Sequence, residues 1–161
     1  MSDVTDMREY INTLEEMGEL RRFEGADLNL EVGALTERAA EKEGPALLFS
    51  KFKNYPAGFR VISNVFRTCR RTGPAMGIDP ALNGVDYLYA WRKKLAAYKP
   101  VPVQQVEGGP VFENQMAEEQ VDLYRFPVPK WHDLDGGLYI GTGCGVIIKD
   151  PEIGKINVGT Y

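Results

Sequence analysis

The most constraining feature of the sequence is its closing stretch, where two short apolar runs flank a turn containing proline and glycine. The first run contains Val146, Ile147 and Ile148, and the second covers residues 155–161. In the turn, proline presets φ and glycine tolerates a positive φ. This pattern predicts a β-hairpin. Because an isolated hairpin is only marginally stable, we expect this chain to be the front part of a longer protein.

The residues before the hairpin read as a small layer of helices and strands. Apolar residues at helical spacing predict three helices, which are expected to begin at the caps Asp6 (completed by Glu9 as a capping box), Asn29 and Asp79. The expected ranges are helix 6–18, strand 20–23, helix 30–43, strands 46–49 and 59–65, and helix 80–98, with 66–78 ambiguous. This order is typical of an α/β layer. The residues of the last helix expected to face inward are Leu82, Val85, Leu88, Tyr89 and Leu95.

Composition excludes several classes of function. A net charge of −4 and a pI near 5.1 argue against nucleic acid as the main partner. The first residues lack the apolar core of a signal peptide, and no apolar run approaches the length of a membrane span. Cys69 and Cys144 are too isolated to predict a disulfide framework or a zinc site. We therefore expect reduced thiols, a cytoplasmic location and no membrane partner.

The glycine-rich segment before the hairpin offers few catalytic candidates. His132 is the one histidine of the chain, but no partner or substrate is evident for it, so a structural or surface role is favoured. Asp133 and Asp135 precede two glycines and favour a turn. The glycines within 141–145 are followed by a strand, which rules out a dinucleotide fingerprint. They are compatible with close approach of another backbone or of a flat ligand. No catalytic residue is assigned.

The second strand of the hairpin carries a more specific set of polar residues. Asn157, Gly159 and Tyr161 share one face if the strand is regular. An asparagine oxygen suits a hard divalent ion beside a phosphate. Thr160 faces the other way, although its backbone can still reach a ligand. From spacing alone, the alternative that Asn157 is an ordinary strand residue stays open.

Three motifs near the end of the chain are specific when taken together. They are DGGLYI at 135–140, KDPEIG at 149–154 and NVGTY at 157–161. Weaker motifs occur earlier, namely GEL at 18–20, GPALLF at 44–49 and NVF at 64–66. On these residues the sequence resembles the N-terminal portion of the UbiD family of decarboxylases, and the resemblance covers most of the chain.

The resemblance implies an α+β fold in three parts. Residues 1–100 would form an N-terminal α/β region and residues 101–125 a connector. Residues 126–161 would supply the first strands of a split β-barrel of the flavin-reductase type, which would be incomplete. Members of the family add a C-terminal α/β region used in oligomerisation. The expected partners are therefore the missing C-terminal remainder and further copies of the chain.

The resemblance also implies a chemistry. Members reversibly decarboxylate aromatic or α,β-unsaturated carboxylic acids with prenylated FMN, a divalent metal (usually Mn²⁺) and often K⁺. Asn157 matches the asparagine that ligates the metal bridging to the cofactor phosphate, and Thr160 and Tyr161 match positions lining the flavin. The arginine that follows this tyrosine in the family, and its acidic catalytic residues, lie beyond residue 161. The chain alone is therefore expected to be inactive.

Two alternatives from other functional classes stay open. One is a non-catalytic assembly subunit that docks onto a catalytic chain by strand addition. The other is a flavin-binding redox module, because fold alone does not determine function. The coding sequence beyond Tyr161 would discriminate between them and the decarboxylase.

Overall fold

The computed structural model describes residues 4–102, 104–141 and 143–160. The strands of this part of the chain form two separate sheets, one of three strands and one of two. In chain order the helices and strands are α1 (Met7–Glu16), β1 (Leu20–Glu24), α2 (Glu31–Glu41), β2 (Ala46–Ser50), β3 (Arg60–Ser63), α3 (Cys69–Met76), α4 (Gly84–Ala97), β4 (Gly145–Lys149) and β5 (Ile156–Thr160). The mixed α/β character expected from the sequence is confirmed.

The N-terminal sheet is built around β2, whose apolar run is buried on both sides. This strand pairs in parallel with β1 and antiparallel with β3. Leu47 and Phe49 pack with Val32 of α2, whereas Ala46 packs with Tyr10 of α1. Because side chains alternate along a strand, α1 and α2 cover opposite faces of the sheet, as expected for an α/β layer.

The first helix begins as predicted, with one change in its cap. The carboxylate of Asp6 accepts hydrogen bonds from the backbone N–H groups of Arg8 and Glu9, at 2.7 and 2.8 Å. The carboxylate of Glu9 accepts from the backbone N–H and the hydroxyl of Thr5. The expected capping box therefore closes one residue earlier than predicted.

The prediction that Asn29 caps the second helix is wrong. The helix begins at Glu31 after Leu30, which has a φ of 73°. The N–H of Asn29 donates to the carboxylate of Asp27, and the Glu31 carboxylate accepts from the N–H of Asp27. The turn centred on Asp27 thus takes the role that the sequence pattern gave to Asn29.

The predicted start of the last helix at Asp79 is also wrong. The Asp79 carboxylate accepts from the N–H of Ala81 at 2.9 Å, but this closes a turn, and α4 starts only at Gly84. The ambiguous stretch 66–78 contains α3 instead. The physical reason is that an Asp-Pro pair can begin a single turn as well as a helix.

The inward face of α4 differs from the predicted one. Leu88 and Tyr89 are exposed, to 59% and 63%, and Val85 and Leu95 are exposed as well. Tyr87 is buried instead, and its hydroxyl lies 3.3 Å from the sulfur of Met76. The Lys94 ammonium donates to the carbonyl of Met76 at 2.6 Å. Tyr87 and Lys94 therefore contact the end of α3, whereas the predicted apolar stripe does not form the inward face of α4.

The connector contains only short 3-10 turns among its described residues. It ends where buried Pro127 and Pro129 return the chain to the N-terminal layer, with Phe126 packed edge-on against Phe59 at 6.0 Å between ring centres. No helix in the described part of the chain is long and apolar enough to cross a membrane.

Candidate functional site

The predicted turn of the hairpin forms around Asp150. Its carboxylate accepts hydrogen bonds from the N–H groups of Glu152 and Ile153, at 2.8 and 2.9 Å. These two bonds hold the pKa of Asp150 below its usual value, because they stabilise the charged carboxylate. Gly154 closes the turn with a φ of 69°, a conformation that favours glycine.

The register of the hairpin places Asn157 near the turn, in the second of the five residue pairs counted from it. Asn157 pairs with Ile148, and Gly159 pairs with Val146, so these four residues share one face of the ribbon. Thr160 pairs with Gly145 and belongs to the opposite face. Asn157 and Thr160 therefore lie three residues apart on β5 and point to opposite sides. Tyr161, the third residue expected at the site, lies outside the described residues.

Both faces of the ribbon are exposed. Ile148, on the face of Asn157, is 57% exposed, and Ile147, on the other face, is 72% exposed. The Asn157 side chain is also exposed. A two-stranded ribbon with apolar residues on both sides requires further packing on at least one of them. Asn157 thus offers an accessible amide oxygen beside an apolar surface.

A cleft of about 790 Å³ separates β3 from the glycine-rich segment that leads to the hairpin. On the β3 side, the hydroxyls of Ser63 and Thr36 lie 2.7 Å apart. On the other side lie Trp131, His132 and Asp135. Sequence motifs did not predict this cleft, because its walls come from residues about 70 positions apart that no local pattern connects.

The geometry around His132 is that of a turn. The backbone N–H of His132 donates to the Asp135 carboxylate at 2.9 Å, as the sequence predicted for an aspartate before two glycines. The ring Nδ1 lies 3.7 Å from Asp135, which is longer than a hydrogen bond. The imidazole is mostly exposed. This arrangement supplies no oriented acid–base pair.

The described residues contain no group of three or more His, Cys, Asp or Glu side chains that could hold a metal ion. An asparagine oxygen is nevertheless a ligand that hard divalent ions accept. The exposed amide of Asn157 therefore fits one position of such a site. The other ligands would have to come from other groups.

Comparison with known proteins identifies the family. Residues 11–90 match the 3-octaprenyl-4-hydroxybenzoate carboxy-lyase N-terminal domain, and residues 103–161 match the Rift-related domain of the same carboxy-lyase. Pyrrole-2-carboxylic acid decarboxylase of Pseudomonas aeruginosa is 34% identical over 155 residues, which is 91% of this chain and 31% of the relative. Phenolic acid decarboxylase of Sedimentibacter hydroxybenzoicus is 31% identical over 166 residues, 97% of this chain and 34% of the relative.

The fold is also similar to solved structures. Vanillic acid decarboxylase of Sedimentibacter hydroxybenzoicus in its closed form superposes with a TM-score of 0.83 and 28% identity, over 100% of this chain and 35% of that one. Its open form gives a TM-score of 0.80 over 100% of this chain and 34% of that one. The chain thus spans about a third of the length of these relatives. From the two domain matches and these similarities, the chain belongs to the UbiD family of decarboxylases.

Proposed function

We propose that this chain supplies part of a lyase that reversibly decarboxylates an aromatic or α,β-unsaturated carboxylic acid, using prenylated FMN and a divalent metal. An aromatic substrate is favoured, because the relatives are named for pyrrole-2-carboxylic, phenolic and vanillic acids. Family membership supports the decarboxylase chemistry.

The observation that carries the proposal is the exposed ribbon with Asn157 on one face. The Asn157 amide would ligate Mn²⁺ through its oxygen, beside the phosphate of the flavin. Thr160 and Tyr161 would line the flavin itself. Gly159, paired with Val146 across the ribbon, has no side chain that would keep a flat group from this face.

In this proposal the chain contributes to binding and orienting the cofactor. When bound, prenylated FMN supplies the electron sink for the loss of CO₂. Residues 1–100 form the N-terminal region, residues 101–125 the connector, and residues 126–161 the first strands of a split β-barrel. The described strands close no barrel, so a full pocket needs further strands. A C-terminal remainder and a homo-oligomer would complete the enzyme, with K⁺ as a second ion.

A pocket must cover much of a ligand to hold it, and a single ribbon offers one wall. We therefore expect the 161-residue chain to bind prenylated FMN weakly and to release no CO₂. A chain carrying the coding sequence beyond residue 161, to the length of the relatives, should retain flavin and Mn²⁺ in stoichiometric amounts.

The test is a parallel titration of both proteins with prenylated FMN and Mn²⁺, followed by absorbance and by metal content. Tight binding by the longer protein alone supports the proposal. Equal affinity of the two proteins would contradict the proposal that the 161-residue chain holds only one wall of the cofactor pocket. Hydride transfer from a nicotinamide without CO₂ release would identify a redox module instead.

A further inference from the structure

The segment that leads to the hairpin is held by a short parallel bridge to the turn that precedes α2. The N–H of Leu30 donates to the carbonyl of Lys130 at 3.0 Å, and the N–H of Lys130 donates to the carbonyl of Leu28 at 2.9 Å. This bridge lies outside both sheets and pairs Asn29 with Lys130. It joins the end of the proline-rich stretch to the turn that precedes α2.

One residue of α2 determines how closely the segment approaches. A Cβ atom on Gly33 would overlap the carbonyl oxygen of Trp131 and lie 2.6 Å from its carbonyl carbon. The obstacle is backbone, so no rotation of a side chain relieves it. Gly33 is buried within α2, where glycine is among the weakest helix formers. Its presence is therefore explained by the close approach and not by helix stability.

Trp131 contacts both the N-terminal layer and the glycine-rich segment that precedes the hairpin. The Trp131 side chain packs against the core cluster that contains Val32 and Phe49, and its Nε1 lies 3.5 Å from the carbonyl of Tyr139. Tyr139 lies six residues before the first residue of β4, Gly145. The Gly33 contact and the Trp131 contacts therefore lie where the chain leaves the N-terminal layer on its way to the hairpin.

We propose that Gly33 is a positioning residue for the metal and flavin wall: by admitting the Trp131 backbone against α2, it fixes the placement of the ribbon that carries Asn157. This inference rests on the proposed function for its consequence at the cofactor. The docking of the segment itself is independent of that function and can be measured on the 161-residue chain.

The first experiment follows Trp131 directly. In a Trp91→Phe background Trp131 is the only tryptophan of the chain, and its emission reports whether it is docked. Gly33→Ala should shift the emission to the red and should speed amide exchange at Leu30 and Lys130 by at least about tenfold, while the far-UV spectrum is kept. Gly137→Ala is the matched control, because a Cβ at Gly137 meets nothing within 4 Å.

A second variant tests the same contact without altering α2. Lys130→Pro removes the N–H donated to Leu28 and should give the same red shift and the same faster exchange at Leu30. Unchanged emission and exchange in both Gly33→Ala and Lys130→Pro would overturn the inference. If Gly33→Ala unfolds the whole chain, the emission and exchange of Lys130→Pro alone decide whether the inference stands.

The second experiment uses the protein extended to the length of its relatives and measures flavin absorbance and Mn²⁺ content per chain. Gly33→Ala should lower both at least about tenfold at limiting cofactor, with Gly137→Ala as control. If the unsubstituted protein binds neither group, the proposed function fails whatever Gly33 does. If the unsubstituted and Gly33→Ala proteins bind equally, the proposed function stands and the positioning role of Gly33 is refuted.

Discussion

The guanidinium of Arg71 lies 3.0 Å from the carboxylate of Glu19 and is completely buried. The same nitrogen donates to the carbonyl of Gly44 at 2.9 Å. Arg70 adds a second ion pair to Glu19 at 2.8 Å. This contact links the turn after α1 with the start of α3 and with the turn before β2, so it holds the N-terminal layer together.

Replacing Glu19 by Gln should lower the free energy of unfolding by about 2–3 kcal/mol, because it leaves the buried Arg71 charge without its counter-charge. Glu15→Gln is the matched control, since Glu15 pairs with Arg22 at 2.7 Å but both side chains are half exposed. That change should cost clearly less stability, because exposed ion pairs contribute little. Urea denaturation of both variants checks the difference, and equal losses would show that burial of Arg71 contributes nothing.

Alkaline pH should destabilise the layer through Tyr10. Its hydroxyl donates to the carbonyl of Arg71 at 2.9 Å, and burial raises its pKa to about 12, against the opposing effect of the Arg71 charge. Because the folded state holds this proton more tightly than the unfolded state, the contribution is complete below about pH 10 and is lost as the pH rises towards 12. This difference between the folded and unfolded pKa of Tyr10 corresponds to a loss of about 3 kcal/mol in the free energy of unfolding once the hydroxyl is ionised.

Tyr10→Phe should remove this alkaline step and should lower stability at neutral pH by about 1 kcal/mol. Tyr98→Phe serves as control, since Tyr98 is 67% exposed. The measurement is the denaturation midpoint at a series of pH values from 7 to 11. A Tyr10→Phe protein that loses stability above about pH 10 as the unsubstituted chain does would contradict the assignment.

Acid should loosen the hairpin turn. The pKa of Asp150 is held low by its two backbone hydrogen bonds, so its contribution is present above the unfolded pKa of about 3.9 and is lost as the pH falls towards the lower folded value. NMR shifts of the Glu152 and Ile153 amides should follow this titration. Asp150→Ala should abolish the response at both amides, whereas Asp133→Ala, outside the hairpin, should leave it intact. A response that survives Asp150→Ala would assign the titration to another group.

Short-range sequence patterns were sufficient to predict much of the fold. The caps and periodicity of α1, the apolar run of β2 and the Asp-Pro…Gly turn of the hairpin each act within a few residues, and each was predicted from the sequence. The inward face of α4 was not predicted, because the contacts of Tyr87 and Lys94 with Met76 join two different helices. A local sequence pattern carries no information about such long-range contacts.

The candidate site was predicted only in part. Asn157 and its face follow from strand alternation, and the structure places Asn157 and Thr160 on opposite sides of β5, as expected. The Gly33–Trp131 approach was missed, since a glycine inside a helical pattern carries no information about which backbone lies against it. The assignment of metal and flavin contacts stays a prediction.

We propose that the Asn157 amide oxygen ligates a divalent metal. The measurement that tests this ligation is bound Mn²⁺ per chain in the protein extended to the length of its relatives, as purified and after dialysis. Asn157→Ala should lose Mn²⁺ at least about tenfold more readily than the unsubstituted protein, and flavin with it. The control is Asn12→Ala, a change at an exposed asparagine of α1, which should retain both Mn²⁺ and flavin. Full Mn²⁺ and flavin occupancy in purified Asn157→Ala would contradict the proposed ligation.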